Sequence, residues 1–240
     1  MSNIVILGAG GDGLVIAEAI AHGAREGSNA GALVAGFLDD AYPTGGMFEG
    51  FRVHGGLDAW KDLDPAWTFV PAIQKVGDMA RRAARLDGLG IPPHRWATVI
   101  HPTAVVAASA KIGVGVYIAA FCSVQPRCEV ADFASLRAGA ALGHDALVGR
   151  HAYVGPNAVM CGRTRLGEGA HLGPGAVLLD NRQVGDFSVV GIASAVTKDV
   201  APYSVAMGHP ARRIGPARRH KADSKEEDGT SPRADREDHP

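Results

Sequence analysis

From Ala104 to Asp199 the chain repeats in sixes, and sixteen successive sixes carry an aliphatic side chain at the same place. The series opens with Val106, Ile112, Ile118 and Val124 and closes with Val184, Val190 and Val196. Two places before each aliphatic stands a small residue, such as Ala134, Ala140 or Ala146, with Val116 and Arg182 as exceptions. The place after it is often glycine, as at Gly113, Gly143, Gly149 and Gly167. Helical solenoids need roughly 20 to 45 residues per unit, whereas six residues make one short strand and one corner. The pattern therefore predicts a parallel β-helix. Aliphatics stack inside, small residues let the corner close, and the glycines are expected to take backbone conformations that other residues resist. Three sides make a triangular coil of eighteen residues, with successive coils at roughly 4.8 Å, the spacing of hydrogen-bonded strands.

The remaining length leaves room for a second, smaller domain. At 240 residues with a net charge of -1, the chain gives no electrostatic reason to expect nucleic acid or an anionic membrane as its partner. No apolar run approaches the roughly 18 residues of a membrane span. The start, MSNIVILGAGG, lacks the features of a signal peptide, so a cytoplasmic location is expected. Cys122, Cys128 and Cys161 have no metal-ligand spacing. The first two occupy small corner positions and read as apolar filler.

Ahead of the coil, Asn3 to Leu7 reads as a buried strand, followed at once by Gly8, Gly10, Gly11, Asp12 and Gly13 in a GxGxxG turn and a helical run from Leu14. That order brings backbone N–H groups and a helix N-terminus towards a phosphate. Ala32 to Leu38 is the next strand and ends on Asp39 and Asp40, placed to take ribose hydroxyls. Trp67 to Ile73 gives a further strand, Val76 to Leu89 a helix, and Ala97 to Ile100 a last short strand of this domain. Half a Rossmann unit results, enough for one nucleotide and too little for a dinucleotide. The domain limits are 1–100 for this α/β unit, 101–214 for the coil and 215–240 for a polar, charged tail expected to be disordered.

A small nucleotide-binding head feeding into hexapeptide repeats resembles the sialic acid and bacillosamine acetyltransferase family of hexapeptide-repeat transferases. The matching motifs are the glycine turn, the paired acids, the junction Ile100-His101-Pro102-Thr103-Ala104, Gly143-His144-Asp145 in mid-coil, the exit Val196 to Val200, and Gly208-His209-Pro210-Ala211. The resemblance implies a left-handed β-helix, a homotrimer with active sites between subunits, acetyl-CoA as co-substrate without a metal, and a nucleotide-linked amino sugar as acceptor. Acetylation of a sialic-acid-like sugar on oxygen is the alternative, followed by a non-catalytic nucleotide-binding scaffold.

Acetyl transfer to an amine needs a base, donors for the oxyanion and a groove for the pantetheine arm. His144 lies at a corner and is the candidate base, since an imidazole accepts protons near neutral pH. Asp145 is placed to hold its tautomer. Gly162 follows eighteen residues later, one coil above His144, and the resemblance gives its amide to the thioester oxygen. It also gives coenzyme contacts to Gly162, Tyr153, Gly173, Pro174, Gly191 and Ile192, with Lys198 and Arg212 for the phosphates. Two departures from the family pattern stand out: Asp12 where the glycine turn usually has His, and Arg137 where Asn is frequent. Both are assigned to the acceptor side, with Gly8, Gly10, Gly11, Gly13, Asp39 and Asp40, and Arg137 is expected to favour an anionic acceptor. A zinc hydratase on the same coil needs three converging histidines. His144, His151 and His171 are out of register for that.

Overall fold

The computed structural model describes residues 2–26 and 32–217. Strand β1 (Ser2–Leu7) is the middle of a three-stranded parallel sheet. Its neighbours are β2 (Ala32–Leu38) on one side and, past a hairpin of β3 (Met47–Phe48) and β4 (Phe51–Arg52), β5 (Thr68–Pro71) on the other. Covered on both faces, β1 can carry an unbroken apolar run, and Val5, Ile6 and Leu7 are completely buried. The hairpin was not legible as strand. Its turn depends on Glu49 and Gly50, both at positive φ (46° and 82°), the twist that two-residue hairpins need.

Helix α1 (Gly11–Arg25) buries Ile16, Ala17 and Ile20, and α2 (Met79–Asp87) is shorter than its amphipathic pattern at both ends. One expectation is corrected. β6 (Val99–Ile100) does not join the front sheet but pairs in parallel with Tyr117–Ile118, so it is the first rung of the coil. A two-residue strand finds its partner by position, and here the nearer open edge is the coil's.

The coil is a parallel β-solenoid, with every repeat aliphatic the second residue of a two-residue strand. Its first face runs from Val105–Val106 to Ala195–Val196, and its second from Lys111–Ile112 to Gln183–Val184. The third face starts at β6 and ends in the antiparallel pair Ser204–Gly208 and Ala211–Pro216. Residues eighteen apart pair directly, as Leu136 with Val154 and Leu142 with Met160. Leu136, Leu142, Met160, Leu172 and Leu178 are fully enclosed. Each contributes roughly 1.5–3 kcal/mol by leaving water. The final strand carries chain order to Pro216, past the boundary expected at 214. The rest of the expected tail, from 218, lies outside the described residues.

The repeat glycines do a different job from the one expected. Positive φ falls at the place before the small residue, and mostly on side-chain-bearing residues: Phe121, Arg127, Phe133, Asp145, His151 and Asn157 lie between 54° and 62°. Each costs roughly 1–2 kcal/mol, offset by ladder bonds such as Asp145 N–H to the Pro126 carbonyl (3.1 Å). The glycines after the aliphatics are there for close approach. A Cβ on Gly143 would stand 2.7 Å from the Cys161 carbonyl carbon, and one on Gly149 2.7 Å from the Glu168 nitrogen.

The front domain covers the third face. Tyr117, Ser135, His171 and Val189, which point outward from it, are all buried. Trp96 meets Phe133 edge-on at 4.8 Å, and α1 shares one apolar cluster with Val116, Tyr117 and Ile118. The other two faces are open.

Candidate active site

The corner between the first and second faces carries Gly143, His144 and Asp145. Asp145 takes the left-handed conformation (φ 60°), which turns the chain just after His144 and presents both side chains outward. The His144 ring is 43% exposed, and its Nδ1 lies 2.6 Å from Asp145 Oδ2. An ionised carboxylate only accepts, so the ring proton sits on Nδ1 and the lone pair on Nε2. Below, Arg127 donates to both oxygens of Asp145, Nε to Oδ1 at 2.6 Å and NH2 to Oδ2 at 2.9 Å. The guanidinium, and after it His144, hold this carboxyl well below the usual carboxylate range. Sequence reading missed Arg127. Its position eighteen residues before Asp145 was the available signal.

One coil up, Gly162 is beside His144 as expected, but its amide is not directed into a free cleft. Gly162 N–H donates to Asp180 Oδ1 at 3.0 Å. What the glycine supplies here is space. A Cβ on it would lie 2.8 Å from His144 Nε2 and 3.2 Å from Asp180 Oδ1. Cys161, next to it, has its thiol pushed up by burial and then by the Asp180 charge, which keeps it a poor nucleophile.

Asp12 and Arg137 are each other's partner. Arg137 NH2 donates to Asp12 Oδ1 at 2.7 Å, with the Arg137 side chain only 10% exposed and its guanidinium over the Tyr117 and Tyr153 rings. The expectation of a positive charge left available for an anionic acceptor is thereby corrected. The two departures from the family pattern form one ion pair across the domain boundary. Sequence alone could not join residues 125 positions apart.

Tyr153 lies on the third face, stacked on His171 (4.5 Å), and not at the His144 corner. Gly173, Pro174, Gly191 and Ile192 lie at the corner between the third and first faces. A Cβ on Gly173 would meet the Val190 oxygen at 2.6 Å, and one on Gly191 would meet Met207 at 2.5 Å, so both glycines have a packing reason. Pro174 and Ile192 are exposed, as are Lys198 and Arg212. His144 and the corner of Gly173, Pro174, Gly191 and Ile192 thus flank the first face from opposite edges, and one chain does not bring them together, whereas Lys198, between Val196 and Val200, lies on the His144 edge. His144, His151 and His171 likewise do not converge. His151 is buried against Asp87 (3.2 Å) at a different corner, and no group of three metal-ligating side chains occurs among the described residues.

At the carboxyl ends of the front sheet a cavity of about 430 Å³ is lined by Gly8, Gly10, Asp39, Asp40, Gln74 and Arg85, among others. Helix α1 begins there with no side-chain cap, and Gly10 and Gly11 look onto open space. Gly13 serves the turn itself, since a Cβ there would run into the Gly8 carbonyl oxygen. Asp39 accepts from Ala9 N–H (2.7 Å) and Asp40 from Leu57 N–H (2.7 Å). Both acids line the cavity, but each already anchors a loop. Arg81, Arg82 and Arg85 on α2 were not anticipated at this rim.

Known proteins share this fold. Residues 3–87 match the PglD N-terminal domain family. The acetyltransferase domain of PglB from Neisseria gonorrhoeae superposes with a TM-score of 0.76 at 27% identity, over 89% of this chain and 100% of that one; it is also known in complex with acetyl coenzyme A. PerB from Caulobacter crescentus, solved with CoA and GDP-perosamine, superposes with a TM-score of 0.77 at 28% identity, over 90% and 98% of the two chains. An acyl-(acyl-carrier-protein)–UDP-N-acetylglucosamine O-acyltransferase from Burkholderia lata is 34% identical over 74 residues, 31% of this chain. The chain spans about 28% of that curated relative's length. The resemblance drawn from the motifs holds: an α/β front domain and hexapeptide-repeat solenoid occur together in these sugar acetyltransferases.

Proposed function

We propose that this chain is an acetyl-CoA-dependent N-acetyltransferase acting on a nucleotide-linked amino sugar in the cytoplasm, with His144 as general base. One observation carries the reading. An exposed imidazole has its Nδ1 tied to Asp145 at 2.6 Å while its Nε2 looks over Gly162, on the same chain as a nucleotide-sized cavity. That PerB is known in complex with both CoA and GDP-perosamine supports a reading with one site for each kind of molecule.

In the proposed reaction the sugar amine attacks the thioester carbonyl carbon directly. His144 Nε2 accepts the amine proton, and Asp145 stabilises the imidazolium that forms. The N–C bond forms, the C–S bond breaks, and the proton passes from His144 to the departing thiolate. The raised Cys161 thiol argues for direct attack over an acyl-enzyme. Acetyl-CoA is assigned to Gly173, Pro174, Gly191, Ile192, Lys198 and Arg212; the first four lie across the first face from His144, so this reading takes them from a neighbouring subunit, while Lys198 stands on the His144 edge further along the coil. The outward residues of that face are small or apolar (Val105, Ser123, Ala141, Val159, Val177 and Ala195), which supports a homotrimer closed on it.

The test is His144→Ala. Thiol release from acetyl-CoA with amino sugar nucleotides should fall about 10²- to 10⁴-fold with acetyl-CoA affinity retained. An unchanged rate would leave the scaffold reading in its place.

A further inference from the structure

Asp180 is a carboxylate that the reaction above does not use. Its Oδ1 accepts from Gly162 N–H at 3.0 Å, no ion pair to it is found among the described residues, and the residue is exposed. The contrast with Asp145, whose charge is met by Arg127, is sharp. His144 Nε2 and Asp180 Oδ1 stand on the same side of Gly162, with no side chain between them. The point where a Cβ would stand is 2.8 Å from His144 Nε2 and 3.2 Å from Asp180 Oδ1. Both flanking atoms present lone pairs: Nε2 because the ring proton is on Nδ1, and the carboxylate because it only accepts. Two acceptors this close together, one of them a carboxylate without an ion pair among the described residues, suit a group with several N–H donors and a positive charge. They suit a hydroxyl, with one donor and no charge, much less well.

We propose that Asp180, with His144, recognises the acceptor as a protonated amine, and so decides for nitrogen over oxygen. The inference rests on the acetyl-transfer reading and deepens it. The acceptor arrives as R–NH₃⁺ against Asp180 and His144 and releases one proton to water. Its nitrogen then bonds to the thioester carbonyl carbon, the C–S bond breaks, and the second proton travels through His144 Nε2 to the thiolate. The products are the amide, the free thiol and one proton. Asp180 is a specificity residue here: its charge binds the amine and takes no part in bond making.

Asp180→Asn is the informative variant, because the amide oxygen can still accept from Gly162 N–H while the charge is gone. The full chain is assayed with acetyl-CoA and two acceptor pairs, GDP- and UDP-linked 4-amino-4,6-dideoxyhexoses and the same sugar nucleotides with hydroxyl in place of the amine. The D180N variant should lower kcat/KM for the amine about 10- to 100-fold, the scale of a hydrogen bond to a charged group. The loss should fall mainly in KM of the amine, with KM of acetyl-CoA and turnover of the hydroxyl acceptors unchanged. Asp180→Ala should behave alike. If D180N matches the wild type and only D180A is impaired, Asp180 is a tether for Gly162 and the proposal is overturned. If wild-type protein neither binds acetyl-CoA by calorimetry nor turns over any acceptor, the acetyl-transfer reading itself falls.

Discussion

Gly162 shows how little room the His144 corner has. With a Cβ placed 2.8 Å from Nε2, Gly162→Ala forces the imidazole aside or blocks the approach to its lone pair. The expected result is a loss of at least about 10-fold in kcat with thermal stability nearly unchanged, read by thiol-release kinetics beside a melting curve. His171 tests the electrostatics of burial. Enclosure between the domains pushes its pKa from 6.5 to about 4, so the fold prefers the neutral ring. A depressed folded-state value means the stabilisation is complete above pH 6.5 and is lost as pH falls towards 4. Replacing His171 by Phe should flatten the stability profile across that window, by on the order of 3 kcal/mol, measured by urea unfolding at several pH values.

At the scale of elements, helix α1 and the third face meet through both apolar contact and one ion pair. Arg137 is nearly enclosed while Asp12 is 37% exposed, so the pair has a partly desolvated cation and a wet anion. A double-mutant cycle over Asp12→Asn and Arg137→Met should return a coupling of about 1 kcal/mol, discounted for solvent at Asp12. Arg137→Met alone should cost more than Asp12→Asn alone in urea unfolding, because it also gives up the stacking on Tyr117 and Tyr153. Within the coil, Leu142→Ala removes a fully buried rung and should cost about 2–5 kcal/mol.

For the whole molecule, the first face is the decisive surface. It stays open in one chain, its outward residues are small or apolar, and it separates the proposed base from the corner of Gly173, Pro174, Gly191 and Ile192 proposed for coenzyme A. Val177, 40% exposed, stands on it. Val177→Asp should convert the proposed trimer to monomers in sedimentation velocity and abolish the proposed acetyl transfer while the melting curve remains cooperative. A monomeric variant that keeps full activity would show that the site needs no neighbour.

The period of six determined the solenoid by itself, because a repeat that short closes in one way and every rung restates the same packing instruction. It also placed Gly162 beside His144, since stacking at eighteen residues is arithmetic. Two things were decided only by tertiary structure. Val99–Ile100 went to the coil, because two-residue strands carry no preference of their own. Asp12 found Arg137 across the domain boundary. Local periodicity sets what a residue's neighbours along the coil are. Which donor meets which acceptor between separate elements depends on how those elements dock, and no spacing along the chain encodes that.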